Sequence, residues 1–375
     1  MQEISLYVHI PFCKQKCLYC DFPSYAGKEN LEDDYIDALI KEINRKCKNK
    51  VIRSLFIGGG TPSYLKDSNI EKLLKTIKKL NYIDKFAEKT MECNPGTLTK
   101  EKLQIMRENG INRISMGLQT TNNELLKKIG RIHTIEEFKE NYKRAREEGF
   151  KNINIDIMFG LPNQSFCDYK ETLEDIVKLD PDHISCYSLI IEEGTPFYNM
   201  SEKGLLKLPS EEEERDMYSV TKNILEKNGY HQYEISNYSK KNKECIHNKI
   251  YWECKEYLGV GVSASSYINE ERIKNIDDIK TYIKKINNNE EVYESIINNT
   301  EKEDMEEFMF LGLRMIKGIS KEEFKKRFNK NIEDVYGKVI MDNINKGLLK
   351  DVNSRIFLTD KGIELSNWVM SEFIL

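Results

Sequence analysis

From residue 4 to about residue 190, short β-branched apolar runs alternate with longer charged segments in which apolar residues recur every three or four positions. Runs of this kind separated by stretches of helical period are the pattern of repeated βα units. They predict six parallel strands, at Ile4–Ile10, Ile52–Ile57, Thr90–Cys93, Ile111–Leu118, Ile153–Phe159 and His183–Ile190. The spacing predicts helices between them, including Leu31–Cys47, with Tyr35, Leu39 and Ile43 on one stripe, and Ile70–Leu80, with Leu73, Leu74 and Ile77 on another. Asp67, Ser68, Thr99 and Thr134 stand where N-caps are expected.

Such alternation describes either a doubly wound sheet or a full or partial barrel, and hydrophobic period does not choose between them. Both architectures place ligands at the C-terminal ends of the strands. The polar and glycine-rich clusters sit there: His9–Cys20, Gly58–Pro62, Glu92–Gly96, Gly117–Thr120 and Asp156–Pro162. Beyond about residue 200 the alternation fades. Residues 270–304, rich in Asn, Lys, Glu and Ile without Gly or Pro, read as a charged helix plus linker. In the last 75 or so residues, helices at Met305–Ile316 and Ile332–Ile344, a hairpin over Gly347–Leu358 and a final helix from Thr359 suggest a small winged-helix-like module. The expected divisions are therefore 1–240, 241–300 and 301–375.

Composition narrows the class. With 39% hydrophobic and 32% charged residues the chain is not a disordered one, and 375 residues allow more than one core. No run of about 18 apolar residues and no signal peptide occurs, so the expected location is the cytoplasm, with no transmembrane segment. A net charge of −4 gives no footprint for nucleic acid. Charges around the C-terminal hairpin (Lys346, Lys350, Asp351, Arg355, Asp360, Lys361) nearly cancel, so that module reads as structural rather than DNA-binding.

Nine cysteines, odd in number, point to reduced thiols rather than a disulfide framework. Three of them form Cys13-x₃-Cys17-x₂-Cys20 just after the first strand. Chance would produce that spacing somewhere in the chain with a probability of about half a per cent. On a helix the three would share one face, but Pro11 and the surrounding lysines argue for an accessible loop. Three thiolates suit zinc with a histidine such as His9, or a [4Fe-4S] cluster with one open iron. The glycine-rich Gly58-Gly59-Gly60-Thr61-Pro62 after the second strand favours the cluster, because an open iron needs a ligand.

The cysteine loop followed by that glycine loop resembles the radical S-adenosylmethionine (SAM) superfamily. The resemblance implies a partial (β/α)6 TIM-like barrel, three irons on the thiolates, and SAM chelating the fourth through its amino and carboxylate groups. An electron from the cluster would then cleave the sulfonium. Such an electron implies a donor such as a flavodoxin or ferredoxin. Within the superfamily, Tyr7-Val8-His9-Ile10-Pro11-Phe12-Cys13 is similar to the opening of oxygen-independent coproporphyrinogen III oxidases and the related HemW-type haem chaperones. By this resemblance Glu92 and Asp156 would bind the adenosyl part. Gln119 and Arg131 would bind the methionyl part, Gly59, Gly60 and Thr61 would line the SAM site, and Tyr7 and Tyr19 would lie beside the cluster.

Three features separate the two relatives. The oxidases resemble C-x₃-C-x₂-C-x-C, whereas Phe22 stands two residues past Cys20 here. They also carry a longer segment ahead of the motif, where this chain has six residues before Tyr7. Third, His247-Asn248-Lys249-Ile250-Tyr251-Trp252 fits the H-N-x-x-Y-W motif of the chaperone group. The resemblance implies haem contacts by His247, Tyr251 and Trp252: imidazole can ligate iron and the aromatics can stack on a porphyrin. One departure is Gly259–Ser266, where a serine stands in place of the Ala-His of many relatives. The expectation is a haem chaperone holding a [4Fe-4S] cluster, SAM and haem. It would deliver haem to acceptor proteins, a membrane haemoprotein touched peripherally among them, without oxidising coproporphyrinogen. The alternative is a radical SAM enzyme acting on a tetrapyrrole, by oxidative decarboxylation or methylation-linked haem opening.

Overall fold

The structure, a computed structural model, describes residues 1–80 and 83–375. Six parallel strands run in sequence order across the middle of one sheet: β1 (Gln2–Ile10), β2 (Lys50–Gly59), β3 (Ile83–Cys93), β4 (Arg113–Gln119), β5 (Ile153–Phe159) and β6 (His183–Ser188). Each expected strand is present. β3 starts well before Thr90, because its polar first half still pairs with β2, Ile83 opposite Ile52. Alternation sorts the side chains of each strand. On β1, Ile4, Leu6, Val8 and Ile10 pack under the helices at 2% exposure or less, while Ser5, Tyr7 and His9 face the barrel interior.

The helices sit where their spacing predicted, at Glu32–Lys46 and Asp67–Lys78. Thr99 caps its helix through the Lys102 amide, and Thr134 forms a capping box with Glu137. Asp67 and Ser68 do not act as caps. They lie inside the first turn, and the preceding amide of Lys66 is taken by Glu32 from the neighbouring helix.

Residues 270–304 depart from the expected helix and linker. After β7 (His231–Glu234) and β8 (Asn237–Ser239) extend one edge of the sheet beyond β6, β9 (Tyr257–Val260) joins the other edge parallel to β1. Antiparallel strands β10 (Ser265–Ile268), β11 (Glu271–Asn275) and β12 (Tyr293–Asn298) then complete twelve strands in that sheet. Only Ile279–Asn287 of the segment is a full helix, before the next begins at Glu301. β11 is half-buried and β12 mostly exposed, so these two carry no apolar alternation to read. Buried Glu42 fastens them to the barrel: it accepts from the Gly261 amide (2.8 Å), Asn275 and Tyr282, and pairs with Lys46.

One hydrophobic core runs from Ile4 to Val292 beneath the barrel helices. A second, from Met305 to Phe373, is built by helices Glu301–Leu313, Lys321–Phe328 and Ile332–Asn345 against a small sheet, β13 (Ile319–Ser320), β14 (Leu349–Val352) and β15 (Arg355–Leu358). Sequence reading found the β14–β15 hairpin but not β13 or the Lys321 helix. Among the described residues no helix is long and apolar enough to cross a membrane.

Candidate functional site

The cysteine loop leaves β1 and is tied down by backbone hydrogen bonds. Cys13 N donates to Tyr25 O (3.1 Å), Tyr25 N to Pro11 O (2.8 Å), and Leu18 N to Ile129 O (3.1 Å). The glycine loop after β2 locks onto it, Gly60 N donating to Ile10 O and Thr61 N to Phe12 O, both at 2.8 Å. Gly60 is required by contact: a Cβ there would stand 2.7 Å from Phe12 O and 2.9 Å from Cys13 Sγ. Gly59, at φ +113°, would drive a Cβ into the His9 ring.

All nine cysteines are free. The three of the loop open onto one cavity of about 390 Å³ at the C-terminal ends of the strands. Tyr19, Gly59, Gly60, Thr61, Glu92, Gln119, Arg131 and Asp156 line the same cavity. Tyr7 does not. It lies one layer down, its hydroxyl 3.0 Å from His9 Nδ1 and its ring stacked on Phe56.

The donor set fits an iron–sulfur cluster on two observations. Three thiols line one hollow, and at Gly60 the glycine loop approaches so closely that a Cβ would stand 2.9 Å from Cys13 Sγ. Arg131 reaches the Cys17 sulfur at 3.5 Å and Asn94 Oδ1 at 2.8 Å, so a guanidinium stands beside one of the thiols. Asn94 also bonds Thr61 (3.1 Å). Sequence reading placed Asn94 in a polar cluster without giving it a role, and passed over Ser115, Tyr187 and Ile190, which also line the cavity. Alternation along the strands was the signal for Ser115 and Tyr187.

Two carboxylates face each other across the floor. Glu92 accepts the Gly59 amide (3.1 Å), and Asp156 accepts from Ser115 (3.1 Å) and Asn154 (2.8 Å). Burial, and then the nearby Asp156, push the Glu92 carboxyl from its ordinary 4.5 up to about 8. Between those values the folded chain retains a proton that the unfolded chain has released, so stability falls as pH rises through the window. Denaturant melts of the ligand-free chain should show this loss, at up to about 1.4 kcal/mol per pH unit. Glu92→Gln should flatten the profile. An unchanged slope in that variant would remove Glu92 as its source.

The H-N-x-x-Y-W residues are not at this cavity. They form the helix Ile246–Trp252, which plugs the opposite, N-terminal end of the barrel. His247 is 1% exposed, with Nδ1 2.9 Å from Ser54 Oγ, Nε2 3.0 Å from the Tyr251 hydroxyl, and its ring stacked on Phe56. Burial, then Arg113, hold its imidazole down to about 3, so it is neutral at any ordinary pH. Trp252 lies under the Arg314 guanidinium at 4.4 Å. Sequence reading missed the floor beneath this helix, where Glu88, Arg113, Cys245 and His183 are all buried. Glu88 alternating with Thr90 and Glu92 along one strand was the available clue.

The radical SAM superfamily model matches residues 7–176, and the HemN C-terminal domain model matches residues 299–365. The chain is 40% identical over 371 residues to the heme chaperone HemW of Lactococcus lactis, covering 99% of this chain and 97% of that protein. It is equally similar to heme chaperone HemW of Bacillus subtilis over 374 residues, 99% of each. Among solved structures, coproporphyrinogen III oxidase HemN of Escherichia coli shares the fold at a TM-score of 0.87, with 24% identity, covering 100% of this chain and 90% of that one.

Proposed function

Because the chain belongs to the HemW family of radical SAM proteins, we infer that it is a haem chaperone, binding haem and passing it to acceptor haemoproteins. The superfamily implies a [4Fe-4S] cluster and SAM. In this reading Cys13, Cys17 and Cys20 hold the cluster, and Glu92 and Asp156 take the ribose hydroxyls of SAM. Arg131 and Gln119 take its methionyl end, and Tyr7 supports the cluster loop from below through His9, whose Nε2 lies 2.8 Å from Pro23 O. When bound, cluster and SAM together supply reductive cleavage of a sulfonium. The chain's own part is to orient the carboxylate of SAM on a guanidinium and to keep Glu92 protonated until a ligand arrives.

The observation that carries a chaperone rather than an oxidase is Phe22. At the position where the oxidases place a fourth thiol stands an apolar ring, 62% exposed at the mouth of the cavity. It cannot ligate metal. Anaerobically reconstituted chain should bind haem, with a Soret shift on titration, and should leave coproporphyrinogen III unconsumed when SAM and a low-potential reductant are supplied. Turnover of coproporphyrinogen would overturn the chaperone reading in favour of the oxidase.

A further inference from the structure

The loops that follow β2 and β3 meet beside the cysteines, and their side chains close a polar circuit between two of the thiols. Arg131 reaches Cys17 Sγ at 3.5 Å from one terminal nitrogen and donates from the other to Asn94 Oδ1 at 2.8 Å. Asn94 Nδ2 donates to Thr61 Oγ1 at 3.1 Å, and Thr61 Oγ1 lies 3.5 Å from Cys13 Sγ. Asn94 stands at the middle of this circuit with its backbone clamped. Its amide donates to Ser63 Oγ (3.0 Å), and its carbonyl accepts from Thr97 Oγ1 (2.6 Å).

The direction of each bond follows from the donors available. A guanidinium only donates, so the Asn94 atom that faces Arg131 is the carbonyl oxygen, and the side-chain NH₂ faces Thr61. Thr61 Oγ1 therefore accepts from Asn94, and its one proton is left for Cys13. A sulfur bound to iron is a thiolate, which only accepts. Each of the two sulfurs thus receives a hydrogen bond, one from a neutral hydroxyl and one from a cation, and a single amide orients both donors. Arg131 is held further by the Gly117 carbonyl, while its Nε is buried and, among the described residues, has no acceptor. That donor remains for the carboxylate of SAM, so SAM can bind without breaking the circuit.

Resting on the cluster reading above, we propose that Asn94 is a positioning residue that raises the reduction potential of the cluster, by aiming the Thr61 hydroxyl at Cys13 and the Arg131 guanidinium at Cys17. The sign follows from charge. Reduction from [4Fe-4S]²⁺ to [4Fe-4S]⁺ takes one electron from an external reductant and adds negative charge that spreads onto the sulfurs. Donors to those sulfurs stabilise the reduced form more than the oxidised one. Asn94 acts through Thr61 and Arg131 rather than on a sulfur itself.

The test is reduction of the anaerobically reconstituted full-length chain by dithionite, without SAM, at a series of set potentials, with the reduced cluster read by electron paramagnetic resonance. Asn94→Ala frees both donors and should lower the reduced-to-oxidised ratio at a fixed potential about tenfold, a shift of about 59 mV for one electron. Thr61→Val removes the hydroxyl at nearly constant volume and adds no charge; it should lower the ratio by a smaller factor. Added to Asn94→Ala it should change little more, because the hydroxyl is already unaimed. All three variants should hold about four irons per chain, as the wild type does. A ratio in fully loaded Asn94→Ala within about twofold of wild type would overturn the proposal while leaving the cluster reading intact, as would a double variant that falls by the product of the two single factors. Iron lost from both single variants would also overturn it, because these residues would then build the site rather than tune it. A wild-type chain that takes up no cluster would overturn the cluster reading itself.

Discussion

Cys17→Ala is expected to abolish the iron–sulfur chromophore of the reconstituted chain. Wild type should retain about four irons per chain with a broad visible absorbance, and any one of Cys13→Ala, Cys17→Ala or Cys20→Ala should fall close to zero. The reason is that the loop contributes donors and little else to its own fold. Its anchors are backbone bonds from Cys13, Leu18 and Tyr25, and the thiols add only long contacts of 3.5 Å, Cys13 with Thr61 and Cys17 with Arg131. Losing one sulfur therefore removes a ligand without unfolding the loop. Cys17 is the sharpest case because Arg131 already addresses its sulfur. Cys167→Ala, at an exposed helical position, should leave the iron content unchanged. Gly60→Ala separates ligation from space: it keeps all three thiols but needs Phe12 O and Cys13 Sγ to move, and should lower iron loading part of the way. Bound zinc without iron in the wild-type chain would defeat the cluster assignment.

Much of this site was legible before any coordinates. Cys13, Cys17 and Cys20 are adjacent in sequence, and the residues facing them lie at the ends of strands whose order follows from βα alternation. A rule about strand ends therefore suffices to bring Glu92, Gln119 and Asp156 together. Arg131 was reachable only through the family resemblance, since it sits beyond a helix, and its entry depends on Gly130 letting the chain pass close to Leu18. The H-N-x-x-Y-W motif shows the opposite case. Its residue types suggest a ligand, but their role depends on contacts across the barrel floor that no local pattern encodes: His247 meets Ser54 and Phe56 from nearly two hundred residues earlier. The missed strands β11 and β12 follow the same logic, because an antiparallel pair joined through the helix Ile279–Asn287, half-buried on β11 and mostly exposed on β12, leaves no apolar period to read.

That floor is where the largest loss of stability is expected. The helix Ile246–Trp252 has no cap from its own chain neighbourhood, since Cys245 offers no side-chain acceptor to its amides. Glu88 of β3 serves instead, Oε2 accepting from Ile246 N (3.1 Å) and Oε1 from His247 N (3.2 Å) and the Cys245 thiol (3.4 Å). The carboxylate is 6% exposed, and the Arg113 guanidinium, 2% exposed, lies within its field. Two opposing terms decide the outcome of Glu88→Ala. Removing a buried charge recovers its desolvation cost, but it strands two helix amides and leaves Arg113 buried with less counter-charge. The second term wins when only one partner is removed, so Glu88→Ala should cost about 3–5 kcal/mol in chemical denaturation. Arg113→Met on top of Glu88→Ala should recover part of that loss, because the stranded cation goes with it, and the amides alone remain unpaired. A single-variant loss below about 1 kcal/mol, the range of an exposed ion pair, would show that Glu88 does not hold the plug. While the barrel remains folded, the destabilised variant should keep its iron loading at Cys13, Cys17 and Cys20, because the plug lies at the opposite end of the barrel.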